Sequence, residues 1–82
     1  MFQFTKYAEK KFLKLDTQTQ SFLREKLVEI KTTKNFSQLN TLKNFEPATH
    51  RLRIGDYRLI LEQVTSTEFL ILDIGHRRDI YQ

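Results

Sequence analysis

The chain opens Met1-Phe2-Gln3-Phe4, an alternation of apolar and polar residues that predicts a short strand at Phe2–Phe4. From Thr5 the period lengthens. Thr5 can cap a helix from about Tyr7 to Leu15, which gathers Ala8, Phe12 and Leu15 on one face and Lys6, Lys10 and Lys14 on another. Asp16-Thr17 interrupts the pattern. Thr17 and Gln20 then have capping-box spacing and predict a second helix to about Lys31, with Leu23, Leu27 and Ile30 along its buried stripe. Two short helices joined by a tight turn make an antiparallel αα-hairpin.

Residues 32–49 are polar, with Phe36, Leu39, Leu42 and Phe45 at intervals of three. A structureless loop of that length is uncommon in a compact domain, so a helical turn is expected near Ser37–Leu42. Pro47 disfavours helix at Glu46. The last third reads as β: His50–Ile54 alternates, Gly55-Asp56 suits a two-residue type II′ turn, and Tyr57–Val64 returns. A second turn at Thr65–Thr67 leads to a third strand, Glu68–Ile74, which Gly75 is expected to end. The sum is an α+β chain: an N-terminal strand, an αα-hairpin, then a three-stranded antiparallel sheet.

The hairpin fixes a register. A two-residue loop sets Ile54 against Tyr57, Leu52 against Leu59 and His50 against Leu61, a mainly apolar face that can pack on the helices. On the opposite face Arg53 meets Arg58, and Arg51 meets Ile60. Like charges directly across a ladder destabilise it by about 0.2–1 kcal/mol. The pair makes sense if an anion binds between them. The plainer alternative is a solvated sheet face on which Glu62, diagonal to Arg51, serves as counter-ion. A third strand beside Tyr57–Val64 would bring Arg77 and Arg78 back toward Arg53 and Arg58, with Tyr81 near enough to join them. Guanidinium groups and one tyrosine suit RNA, which offers phosphates to hold and bases to stack.

Composition narrows the choice of partner. Eighty-two residues make one domain, 1–82, and not two. The net charge of +4 favours polyanions: nucleic acid, an acidic protein or an anionic membrane surface. The positive charge is segregated, with the eight Lys in residues 1–43 and five of the six Arg in residues 51–78. Arginine is the better residue for bidentate phosphate binding. The absence of cysteine excludes a disulfide framework, a thiol nucleophile and a Cys-based zinc site, and fits a reducing cytoplasm. No signal peptide and no apolar run of about 20 residues is visible, so no membrane association is expected. His50, His76, Asp73 and Asp79 match no standard metal-ligand spacing, and Ser21, Ser37 and Ser66 lack any hydrolase motif, so neither a metal nor another cofactor is expected.

Two segments carry a family likeness: Arg51-Leu52-Arg53-Ile54-Gly55-Asp56-Tyr57-Arg58-Leu59-Ile60-Leu61-Glu62, and Ile74-Gly75-His76-Arg77-Arg78-Asp79-Ile80-Tyr81. Together with the N-terminal strand and helical hairpin they resemble the RelE/ParE superfamily of bacterial toxins. The resemblance implies a twisted antiparallel sheet with the helices on one face. It also implies a cognate antitoxin as partner, through which the complex would contact its own operator DNA. RelE-like members cleave mRNA in the ribosomal A site without metal, whereas ParE-like members inhibit DNA gyrase. The RelE-like reading is the one expected here, with the gyrase inhibitor as alternative and a toxin that only binds its antitoxin as a third reading.

By that resemblance Arg58, Arg77 and Tyr81 are the catalytic candidates and Arg51 and Arg53 hold substrate; Arg78, brought near them by the return of the third strand, is a further substrate-binding candidate. Some RelE-like enzymes carry lysines where this chain has Arg51 and Arg53. Arginine stays protonated, so these two stabilise charge but accept protons poorly. His76 is the nearby side chain of a type that titrates near neutrality, and is the candidate acid or base.

Overall fold

The computed structural model describes residues 1–76. Seven elements follow one another: β1 (Phe2–Phe4), α1 (Lys6–Leu13), α2 (Thr17–Thr33), β2 (Leu39–Thr41), β3 (His50–Ile54), β4 (Tyr57–Gln63) and β5 (Phe69–His76). The strands form one mixed sheet in the order β1-β5-β4-β3-β2. The expected three antiparallel strands are therefore its centre, and the sheet has five. β1 joins β5 in parallel, with Phe2 opposite Phe69, and Thr5 continues the edge by donating its backbone N–H to the Ile71 carbonyl at 3.0 Å.

Local chemistry sets the helix ends. Thr5 caps α1 as expected, its Oγ1 accepting from the Ala8 N–H at 3.1 Å. α1 stops two residues before Leu15, where Lys14 and Leu15 donate back to Lys11 and Phe12 in a tightened turn. Asp16, not Thr17, caps α2: it is extended, and its carboxylate accepts from the Thr19 N–H at 3.1 Å and the Thr19 hydroxyl. These hydrogen bonds hold the Asp16 carboxyl below its ordinary pKa. Gln20, free of the capping box, donates its amide to the carbonyls of Leu13 (3.3 Å) and Leu15 (2.9 Å) and so ties the end of α1 to the start of α2. α2 runs to Thr33, two residues past the expected end, and closes on Lys34 in the left-handed region (φ 56°).

The helical turn expected at Ser37–Leu42 is instead strand β2, antiparallel to β3 with Leu39 opposite Leu52 and Thr41 opposite His50. Apolar spacing of three points to helix only if the segment lacks a better partner for its backbone. Here the edge of β3 supplies one, and Leu42 adds a hydrogen bond to the Thr49 carbonyl at 2.8 Å. Leu39 is buried and Phe36 packs on the core, while Phe45 is left in solvent.

Ala8 and Phe12 from α1, and Leu23, Leu27 and Ile30 from α2, meet Leu52, Ile54, Leu59, Leu61, Ile71 and Ile74 in one core. Both helices thus cover one face of the sheet. A bulge in β5 makes that face continuous: Ile60 pairs with Asp73 and Leu61 with Ile71, so Leu72 is an extra residue. Ile71 and Ile74, three apart, would otherwise point to opposite faces, yet both are buried. Asp73, beside the bulge, accepts from the Lys11 ammonium at 2.6 Å and so clamps α1 to β5. Gly75 does not end the strand; β5 continues through it to His76. Among the described residues, no helix is long and apolar enough to cross a membrane.

Candidate functional site

The β3–β4 register is the one expected. Arg53 lies opposite Arg58 and Arg51 opposite Ile60, with Ile54, Leu52 and His50 facing Tyr57, Leu59 and Leu61. Gly55 has φ +59°, whereas Asp56 is not among the residues with positive φ, the combination of a type II′ turn. That turn lets the hairpin close without an extra residue, and so fixes which side chains share a face. Arg51 and Arg53 are exposed and Arg58 is half-buried, all on the face turned away from the helices.

β5 adds the neighbour on the far side. Gly75 stands opposite Arg58, so β5 presents no side chain against that guanidinium at this rung. Arg58 also donates from Nη1 to the Tyr57 carbonyl at 3.4 Å. The arginines flank a stretch of sheet framed by Ile60, with Asn40 of β2 opposite Arg51. Among the described residues no helix covers this electropositive surface, which suits an extended polyanion lying across strands.

His76 is placed differently. It pairs with Tyr57, and residues directly opposite in an antiparallel ladder point the same way. Its ring is therefore on the helix-bearing side, edge-on to Tyr57 with ring centroids 5.6 Å apart and planes at 77°. The structure brings Arg51, Arg53 and Arg58 together and sets His76 around the end of the sheet from them. Arg77, Arg78 and Tyr81 lie outside the described residues, as does Asp79; the described chain ends beside the Gly55-Asp56 turn, where His76 meets Tyr57. Among the described residues, no three His, Asp or Glu side chains assemble into a metal-binding group.

Phe22 is a neighbour that the linear pattern did not single out. It is half-exposed on α2, and its Cε2 lies 3.4 Å from where a Cβ on Gly55 would sit, so an aromatic ring rests on the hairpin turn. The hydrophobic stripe of α2 gives no hint of it, because Phe22 is beside the stripe and not in it.

The lysines of α1 form a separate basic surface. Lys6, Lys10 and Lys14 are exposed, while Lys11 is drawn to Asp73 and also lies 5.4 Å from the Tyr7 ring centroid. Burial alone would lower the Lys11 pKa, but the hydrogen bond and charge of Asp73 outweigh it and hold the ammonium above its ordinary value.

Solved structures share this fold. The toxin–antitoxin complex RelBE2 from Mycobacterium tuberculosis contains a chain that superposes with a TM-score of 0.77 at 23% identity, over 94% of this chain and 96% of that one. The RelB–RelE antitoxin–toxin complex from Methanococcus jannaschii gives 0.72 at 18% identity, over 96% and 94%. The intact RelBE toxin–antitoxin complex from E. coli gives 0.68 at 23% identity, over 93% and 94%. No curated protein sequence matches. The model of the family described as ParE toxin of type II toxin–antitoxin system, parDE, matches residues 2–81. The chain therefore belongs to the ParE toxin family of type II toxin–antitoxin systems, within the RelE/ParE superfamily.

Proposed function

We propose that this toxin is an endoribonuclease that cuts mRNA on the ribosome, without a metal, and blocks translation. The observation that carries the reading is the Arg53–Arg58 rung beside Gly75 on the open face of the sheet. A gyrase inhibitor needs only a binding surface. Opposed arginines with a glycine on the neighbouring strand suit a group that gathers negative charge at one atom, as a phosphate does when attacked. The 2′-hydroxyl of the preceding nucleotide attacks that phosphate. Its proton passes to a base, the 5′-oxygen leaves with a proton from an acid, and the products are a 2′,3′-cyclic phosphate and a 5′-hydroxyl. Arg58 and Arg77 stabilise the crowded phosphate, while Arg51, Arg53 and Arg78 hold the flanking backbone. Tyr81 and His76 are the candidates for proton transfer, with His76 acting from around the sheet end.

An antitoxin partner accords with the family and with the RelB chains in the complexes of similar fold. An acidic segment covering Arg53 and Arg58 would block the site, and operator DNA would be reached through the antitoxin. The second reading, inhibition of DNA gyrase, is favoured by the ParE family match. Inducible expression with genome-wide mapping of mRNA 5′ ends separates the two. New ends within translated codons support the endonuclease; DNA damage with intact mRNA supports the gyrase inhibitor.

A further inference from the structure

β5 changes its relation to β4 partway along. Phe69, Leu70 and Ile71 pair with Gln63, Glu62 and Leu61; Asp73 to His76 pair with Ile60 to Tyr57, and Leu72 is left over between them. Continued without that extra residue, the first pairing would set Asp73 opposite Leu59 and Ile74 opposite Arg58. The bulge instead sets Ile74 opposite Leu59 and Gly75 opposite Arg58. One residue of slip therefore decides whether the arginine rung borders a glycine or an isoleucine, and whether Tyr57 meets His76 or Gly75.

The two registers differ most at Asp73. Leu59 is fully buried, so the slipped register would carry the Asp73 carboxylate into the core, where an ionised group without a partner is strongly disfavoured. In the bulged register Ile74 is buried in that place. Asp73 is then about one-third exposed, and its Oδ1 accepts from the Lys11 ammonium at 2.6 Å and from the Ile74 N–H at 2.7 Å. The Leu72 carbonyl accepts from the Thr5 hydroxyl at 3.4 Å. β1 pairs with β5 only at Phe69–Ile71, so beyond Ile71 side chains take up backbone groups that the β1 ladder does not reach.

We infer that Asp73 is a positioning residue: its polarity selects the bulged register of β5 and thereby sets Gly75, and not a branched side chain, beside Arg58. Its part in cleavage rests on the endonuclease reading above, whereas its part in the register does not. An isoleucine directly across from Arg58 would crowd the guanidinium and any phosphate held by it on the open face. Asp73 acts through Arg58 and needs no contact with substrate. The Lys11 pair is not what chooses the register, because removing Lys11 leaves Asp73 charged and still kept out of the core.

NMR of the purified, isotope-labelled full chain reads the register through cross-strand NOEs and the ring contact between Tyr57 and His76. Asp73→Leu is expected to lose the Tyr57–His76 contact and to place Ile74 opposite Arg58. Asp73→Asn keeps a polar group and should keep the parent contacts, as should Lys11→Met. If Asp73→Leu does not fold, Asp73→Ala takes its place and is expected to show both registers as two sets of β5 amide signals. On ribosome-bound mRNA the shifted variant should cut about 10²-fold more slowly at saturation, the effect of a misplacement of about 1 Å, with KM little changed. Asp73→Asn should cut at nearly the parent rate. Parent NOEs in the folded apolar variant would overturn the inference, as would an equal shift of register in Lys11→Met. A shifted register with the parent rate of cleavage would overturn the positioning role. A parent chain that cuts no mRNA would overturn the endonuclease reading alone, because the spectra are taken without RNA.

Discussion

Arg53 and Arg58 face each other across the β3–β4 ladder, on the sheet surface that the helices leave uncovered. Such a rung works against the sheet by about 0.2–1 kcal/mol unless an anion lies over it. Activity and stability should therefore part company. Arg53→Ala is expected to leave the thermal midpoint unchanged or slightly raised while weakening RNA binding. Arg58→Ala should abolish growth arrest, with cleavage lowered by about 10²–10³-fold if it supplies one contact to the developing charge. Folded Arg58→Ala protein that still arrests growth fully would remove the site.

The chain beyond His76 offers a second separation. Among the described residues, the five strands and the core cluster are all supplied by residues up to His76. Deleting residues 77–82 should leave a cooperatively folding domain with the same circular dichroism, because no core contact described is lost. It should also abolish toxicity, since Arg77, Arg78 and Tyr81 go with it. Arg77→Ala and Tyr81→Phe in the full chain then apportion the loss. A truncated protein that retains cleavage would confine the chemistry to the β3–β4 rung.

How much of this was legible in sequence depends on what governs each element. The β3–β4 register was readable because a two-residue Gly-Asp turn permits one pairing, and pairing dictates faces. The helices were readable from their apolar stripes, though not the swap by which Asp16 caps α2 and Gln20 turns back to α1. β2 was not readable, because its strand state depends on an edge of β3 supplied from further along the chain, with Thr41 opposite His50 and Leu39 opposite Leu52. The bulge at Leu72 mattered most for the site. Counting by twos from Ile71 puts His76 on the arginine side; one extra residue reverses every later side chain and turns it toward Tyr57.

The Lys11–Asp73 clamp gives an alkaline signature. The folded pKa of Lys11 is raised above 10.5, so its contribution is full below that value and fades as pH rises through the folded pKa. Both side chains are about one-third exposed, so solvent screens the pair and about 1 kcal/mol is an upper figure. Lys11→Met should cost at most that at pH 7, and the difference from the parent should shrink above about pH 10.5. Urea denaturation at pH 7, 9 and 11 measures it; a gap that stays constant or widens at pH 11 would show the clamp stabilises by packing and not by charge.

His76 is tested by its pH profile more than by loss of rate. Packed edge-on against Tyr57 at the sheet end, it can meet substrate only around that end. If it transfers a proton, His76→Gln should slow single-turnover cleavage and remove the limb that a histidine places within about pH 5–8. A slower variant that keeps the parent profile would make His76 a packing residue for Tyr57 and leave proton transfer to Tyr81 or water.

Cleavage should depend on the ribosome, and the reason is the shape of the site. Arg51 and Arg53 are exposed on an open sheet, and the half-buried Arg58 borders a glycine, so three guanidinium groups can gather phosphates without fixing the torsions between them. In-line attack requires the 2′-oxygen, phosphorus and leaving oxygen to be held in order. Enforcing a reactive geometry of that kind is worth roughly 7–11 kcal/mol. A ribosome already constrains mRNA in a defined path and can supply what an open surface lacks. The exposed Lys6, Lys10 and Lys14 of α1 then provide contacts to rRNA phosphates, each of which adds to the salt dependence of binding. Purified toxin should therefore leave free mRNA nearly intact and cut it rapidly on ribosomes with an empty A site. Replacing the three lysines with glutamine should weaken ribosome binding and flatten its salt slope by up to about three units, leaving the cut positions unchanged. Equal single-turnover rates on free and ribosome-bound mRNA would show that the arginine face orients its own substrate.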